Sequence, residues 1–129
     1  MAVGILIVDD EPDVAILFRQ QFRRETREGV YVLYFALSAS EALERLASEV
    51  EPQRIVILSD INMPGMDGLA LLREIKKRRP ELPVMMLTAY GDDERRRRAA
   101  EDGAADFMTK PVDFDVLRIR LRELHGPLS

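Results

Sequence analysis

Cysteine is absent from the 129 residues. Disulfides, thiolate catalysis and zinc sites built on sulfur are thereby excluded, and the absence fits any compartment. Histidine occurs once, as His125. No long apolar run is present. The opening MAVGILIVDD has only a short apolar stretch and no basic leader, too little for a signal peptide or a membrane helix. Tails rich in lysine and arginine are also missing. With a net charge of −4 there is no electrostatic footprint for nucleic acid. Repeats, linkers and low-complexity segments are lacking too. The expectation is a soluble cytoplasmic protein with no membrane association and no direct nucleic-acid contact.

What is there fits one domain. Hydrophobic residues make up 47% and charged residues 33%, the balance of an ordinary globular chain. Roughly two-thirds of the unfolded surface can be buried at this length, enough for a core of its own. Short apolar runs alternate with longer amphipathic stretches, the pattern of repeated β-α units. Strands are predicted at Val3–Val8, Val30–Ala36, Ile55–Ser59, Val84–Thr88 and Ala105–Met108. Their apolar runs are mostly continuous, as in strands covered on both faces. A parallel sheet with helices on both sides follows.

Five helices are predicted between and after these strands. Pro12 opens the first, where a missing N–H costs nothing, and Val14, Leu17, Phe18 and Phe22 form its stripe. Ser38 and Glu41 read as a capping box ahead of Ala42, Leu43 and Leu46. Asp67-Gly68 precedes a helix with Leu69, Leu72 and Ile75 inward, stopped before Pro80. Asp113 caps a last helix whose Phe114, Leu117, Leu121 and Leu124 share a face. The fourth helix, around Asp93–Asp102, offers only Ala99 and Ala100 as apolar residues, with Gly103 as its stop. Its attachment to the sheet is expected to be weak. The domain is read as residues 1–125, with 126–129 as a tail or the start of a linker.

In an open α/β sheet, ligands bind beyond the carboxyl ends of the strands. Strand one ends in Asp9-Asp10-Glu11, strand three in Asp60, strand four in Thr88, and strand five runs into Lys110-Pro111. Crowded carboxylates repel and would have to take up protons. A divalent cation removes that conflict. Oxygen ligands without sulfur or histidine point to a hard ion, and Mg²⁺ suits few carboxylates with room for water and phosphate. A carboxylate there can attack phosphorus to give an aspartyl phosphate, while Lys110 and Thr88 hold phosphoryl oxygens. Singly, each residue reads as a cap, a strand residue or a solvated lysine. Their convergence from four strand ends is the signal.

The motifs VDDE (Val8–Glu11), DINMPGMDG (Asp60–Gly68), LTAY (Leu87–Tyr90) and TKP (Thr109–Pro111) stand in the order and spacing of a known family. Over essentially its whole length the chain resembles the response-regulator receiver domains of two-component signalling. The resemblance implies a flavodoxin-like, doubly wound five-stranded parallel sheet with five helices and strand order 2-1-3-4-5, the order of the chemotaxis member. It implies that Asp60 is the phosphoacceptor, loaded by a histidine kinase or phosphotransfer protein. Asp10 resembles the direct Mg²⁺ ligand, Asp9 an acid acting at the metal directly or through water, and Asn62 supplies a backbone carbonyl. Thr88 corresponds to the switch hydroxyl and Lys110 to the phosphate-binding lysine, with a cis bond to Pro111. Phe107, three residues before Lys110, stands where the family places its switch aromatic. Phosphorylation then draws Thr88 inward, lets Phe107 rotate, and reshapes the face made by the fourth helix, fifth strand and fifth helix.

Several positions depart from the pattern or go beyond it. Ser59 stands where an aliphatic residue is common and reads as a tolerated small residue. Phe107 lacks the hydroxyl of tyrosine-bearing relatives. Tyr90, with Asn62, is expected to set the lifetime of the acyl phosphate. Arg95 and Arg98 on the fourth helix, with Val116 and Ile119 off the stripe of the fifth, suggest a face for a homodimer or effector. His125 reads as a surface residue, so the chain receives phosphate without passing it on. A signalling module, not an enzyme, is the leading reading. A Mg²⁺-dependent aspartyl-phosphate phosphohydrolase would need an acid two residues after the nucleophile, where Asn62 stands. A flavin protein is disfavoured by acidic strand ends, and a scaffold by the complete set of site residues.

Overall fold

In the computed structural model, which describes residues 2–48, 54–89 and 91–127, five parallel strands form one sheet. They are β1 (Val3–Val8), β2 (Tyr31–Ala36), β3 (Ile55–Asp60), β4 (Val84–Thr88) and β5 (Asp106–Thr109). Their order is β2-β1-β3-β4-β5, as the resemblance implies. Val8 pairs with Ala36 on one side and Ser59 on the other, and Asp60 pairs with Leu87. The chain steps from β1 out to β2, then returns past β1 to β3 and continues the other way. Strand order reverses between β1 and β3, so their carboxyl ends flank the crevice such sheets leave open.

β1, β3 and β4 are buried at every position, which is what their unbroken apolar runs encode. Alternate side chains enter two cores. Leu6, Val8, Ile57 and Met86 face one side, and Ile5, Ile7, Leu58 and Leu87 face the other. The predicted strand starts and ends differ by a residue at β2, β3 and β5. β5 begins at Asp106, where pairing with Met85 of β4 starts, and the Asp106 carboxylate accepts from Arg120 at 2.6 Å.

Among the described residues the helices are α1 (Pro12–Gln21), α2 (Arg23–Arg27), α3 (Ala39–Ser48), α4 (Gly68–Arg78), α5 (Asp93–Glu101) and α6 (Phe114–His125), six rather than the five expected. The first amphipathic stretch breaks at Phe22, which leaves helical geometry at φ −104° and ψ 17°. Its ring is buried edge-on against Tyr31 and Phe114, while the five residues of α2 bury nothing. Leu17 is a second correction. It is 44% exposed because it lies about 100° around the helix from Phe18, which with Val14 and Phe22 carries the inward stripe.

Helices α1 and α6 cover one face of the sheet, and α3, α4 and α5 the other. Their starts follow the sequence signals. Ser38 Oγ accepts from Glu41 N–H at 3.1 Å, while Glu41 Oε2 accepts from Leu37 N–H at 3.3 Å. Asp67 accepts from Ala70 N–H at 2.9 Å, and Asp113 from Asp115 and Val116. α5 buries Ala99 alone, and Gly103 at φ +98° ends it. Its other ties are polar. Asp102 pairs with Arg73 on α4 at 3.1 Å, and Arg95 pairs with Asp67 at 3.0 Å. Arg95, partly exposed, thus reaches the residue that caps α4. Arg96 instead lies over the Phe107 ring, 5.0 Å from its centroid. His125 is half-buried rather than a simple surface residue, sharing a 3.0 Å hydrogen bond with the Tyr31 hydroxyl.

Gly68 ties α4 to the end of β3. A Cβ there would meet the Asp60 carbonyl at 2.3 Å and the Ile61 Cα at 2.7 Å. Only a residue without a side chain lets the helix start so close to the strand end. Gly68→Ala is expected to cost about 1–3 kcal/mol in urea or thermal unfolding, because backbone on both sides must move.

Candidate functional site

The strand ends bring Asp9, Asp10 and Asp60 together, with one carboxylate oxygen from each within 4.8 Å of the others. Continuous burial of β1 and β3 drives their terminal residues into this position. Asp9 and Asp60 are 4% and 8% exposed, whereas Asp10 is exposed to solvent. Lys110, just past β5, places its ammonium 3.1 Å from Asp9 Oδ2 and 3.0 Å from Asp60 Oδ2. The Lys110–Pro111 bond is cis.

The remaining lone pairs of the two buried carboxylates face backbone donors. Asp9 Oδ1 accepts from Glu11 N–H at 2.9 Å, and Asp60 Oδ1 from Asn62 N–H at 3.2 Å. Thr88 is buried at the end of β4, its hydroxyl donating weakly to the Met108 carbonyl at 3.4 Å. Ser59, fully buried, donates to the Asp60 carbonyl at 3.0 Å. Phe107 sits half-buried on β5 with its ring packed toward the core that holds Met86 and Ala99. Val116 and Ile119 remain 37% and 55% exposed on α6. Tyr90 lies outside the described residues.

Like charges about 4 Å apart near a protein surface repel by about 4 kcal/mol. A single ammonium among three carboxylates leaves the cluster with excess negative charge. Burial pushes the Asp60 carboxyl above its ordinary range, and the Asp9 charge adds to this. Hydrogen bonds from Lys110 and Asn62 and the Lys110 charge pull the other way without cancelling it. For Lys110, burial alone would lower the ammonium, but its bonds and charge contacts to Asp60 and Asp9 hold it above the usual lysine range. An all-oxygen cluster with one exposed member suits a hard divalent cation that keeps part of its water.

One further residue stands at this mouth, which no motif in the sequence marked. Asp92 Oδ2 accepts from Asn62 Nδ2 at 2.9 Å and from Ala89 N–H at 3.0 Å.

The raised Asp60 value sets the sign of a pH effect in the absence of divalent cations. The folded protein binds this proton more tightly than the unfolded chain does. Stability linked to Asp60 is therefore complete below the ordinary carboxylate range and declines as pH rises through the folded value. Asp60→Asn is expected to melt higher than wild type at neutral pH by a few degrees, and the gain should vanish toward pH 3. Melting curves of both proteins in chelator across that range are the check.

The family model of the response regulator receiver domain matches residues 5–122. Over 109 residues the chain is 41% identical to the DNA-binding transcriptional regulator NtrC of Klebsiella pneumoniae, covering 84% of this chain and 22% of that protein. It is 39% identical over 116 residues to the C4-dicarboxylate transport transcriptional regulatory protein DctD of Rhizobium meliloti, covering 90% and 24%. The chain thus spans less than a quarter of the length of these relatives. Because one of them is named for DNA binding, the net charge of −4 does not exclude nucleic acid from the function of such a protein. The crystal structure of the receiver domain of NtrX from Brucella abortus superimposes with a TM-score of 0.80 at 36% identity, covering 93% of this chain and 96% of that one. The acidic cluster at the β1–β3 crevice, the strand order and these matches agree: the chain belongs to the receiver domains of two-component response regulators.

Proposed function

We propose that Asp60 accepts a phosphoryl group from the phosphohistidine of a histidine kinase or phosphotransfer protein in a Mg²⁺-dependent reaction. The observation that carries this is the Lys110 ammonium, 3.0 Å from Asp60 at the acidic strand ends. An Asp60 oxygen attacks phosphorus, the donor's N–P bond breaks, and the imidazole leaves with its electron pair and takes up a proton. Lys110 draws charge from a phosphoryl oxygen and Thr88 donates to another. Asp9, Asp10, Asp60 and the Asn62 carbonyl would hold Mg²⁺, which supplies charge neutralisation on the transferred group. Receiver domains generally bind Mg²⁺ at an acidic cluster of this kind.

The chain acts in this reading as a signalling module in the cytoplasm that catalyses only its own phosphorylation and dephosphorylation. No helix among the described residues is long and apolar enough to cross a membrane. The receiver is taken as residues 1–125 in this reading. The output face comprises α5, β5 and α6, where Phe107 is the switch aromatic and Val116, Ile119 and Arg98 meet a second copy or an effector. Exposed aliphatic side chains beside arginine are the composition of such a contact.

Acetyl phosphate with Mg²⁺ is expected to add one phosphoryl group by mass spectrometry. Loss of that adduct in Asp60→Asn, and its persistence in Asp60-intact controls, would place it; equal uptake by both proteins overturns the reading. Mg²⁺ at ten times its dissociation constant should raise stability by about 1.4 kcal/mol, and much less in Asp10→Asn. On phosphorylation, sedimentation is expected to show a dimer that Ile119→Arg weakens about tenfold or more, since it buries an unpaired charge.

A further inference from the structure

We propose that Asp92 is an internal anion that holds the unphosphorylated arrangement by occupying hydrogen-bond donors a phosphoryl group on Asp60 would otherwise take. This deepens the phosphoacceptor reading and rests on it.

The argument begins with the ladder between β3 and β4. Ile61 N–H donates to the Leu87 carbonyl at 3.1 Å, so the polar groups of Leu87 point toward β3. Along a parallel strand those groups return to the same side every second residue. The N–H of Ala89 therefore also points toward β3, but beyond Asp60, where that strand has ended. No strand carbonyl meets it. Asp92 Oδ2 meets it instead, at 3.0 Å.

The same oxygen accepts from Asn62 Nδ2 at 2.9 Å. Asn62 is the residue whose backbone N–H already donates to Asp60. One carboxylate oxygen thus ties the loop after β3 to the loop after β4, across the mouth of the acidic cluster. Both bonds are charge-assisted, and their donors stand just past the ends of β3 and β4, on the loops that border Asp60. A phosphoryl group there offers stronger acceptors of the same sign as Asp92. It would compete for Ala89 N–H and repel the carboxylate.

Asp92 immediately precedes α5, whose single buried residue is Ala99. Release of Asp92 removes one of the few ties of this helix, leaving Arg95–Asp67, Asp102–Arg73 and the Arg96–Phe107 contact. The exchange at Ala89 thereby converts occupancy of Asp60 into freedom of the helix that borders Phe107. Asp92 is a positioning residue in this scheme, since it acts through Ala89 and Asn62.

The test is titration with beryllofluoride and Mg²⁺, a phosphoryl mimic, followed by amide NMR on wild type, Asp92→Asn, Asp92→Ala and Asp60→Asn. Asp92→Asn keeps the side-chain shape and guards against a loss of fold in Asp92→Ala. Removing the latch raises the fraction of competent molecules, so both Asp92 variants should bind about three- to tenfold tighter than wild type. Their thermal stability without the mimic should fall or stay level. A residue with a merely structural role would lower affinity and stability together. Wild-type binding with equal or weaker binding by both variants overturns the latch and leaves Asp60 as phosphoacceptor. No binding by wild type, or equal binding by Asp60→Asn, overturns the underlying reading and the latch with it.

Discussion

Lys110 bridges Asp9 and Asp60 at 3.1 and 3.0 Å, and most of what the structure can do depends on that bridge. The two carboxylates lie at the ends of adjacent buried strands, where parallel pairing leaves them no choice but proximity. Two buried anions side by side are unstable without a counter-charge, and the ammonium in contact with both is that of Lys110, just past the edge strand β5. The lysine therefore joins the chemistry at the centre of the sheet to its most weakly embedded strand. β5 has four residues and also carries Phe107. Any change in charge at Asp60 is felt there first.

α5 complements this arrangement by being poorly anchored. With Ala99 alone in the core, its place is decided by Asp92, Arg95, Arg96 and Asp102, each engaging a neighbouring element through charge. Apolar packing is non-directional and insensitive to a new anion nearby, whereas such contacts respond to it. The helix nearest the site is thus the one most responsive to a change in its charge. By contrast α4 starts in backbone contact with Asp60 through Gly68 and buries five residues, so it provides the rigid side of the crevice.

Much of this was legible in the residues. Continuous apolar runs marked the strands to within a residue, because burial on both faces leaves no room for alternation. The caps at Ser38, Asp67 and Asp113 were readable because each is a local exchange of hydrogen bonds within a few residues. The strand-end acids were visible for the same reason, as each immediately follows its run. The failures are all contacts between distant segments. The break at Phe22 depends on the rings of Tyr31 and Phe114, and Leu17 was assigned inward from a pattern that ignored which neighbours exist. His125 was read as a surface group, although Tyr31 holds it.

The sequence by itself therefore determined which segments are strands and helices, the class of sheet they form, and the kinds of side chain that collect at its carboxyl edge. Local hydrogen bonding and the period of burial are properties of neighbouring residues, and they suffice for that. Only the tertiary structure decided the distances that make those side chains a site: which carboxylates Lys110 reaches, which are buried, and that Asp92 occupies two donors beside Asp60. Strand register and helix docking set the long-range ones, which join Asn62 to Asp92 across 30 positions and Asp9 to Lys110 across 101. No periodicity along the chain records such pairings, because they arise from the summed packing of both cores.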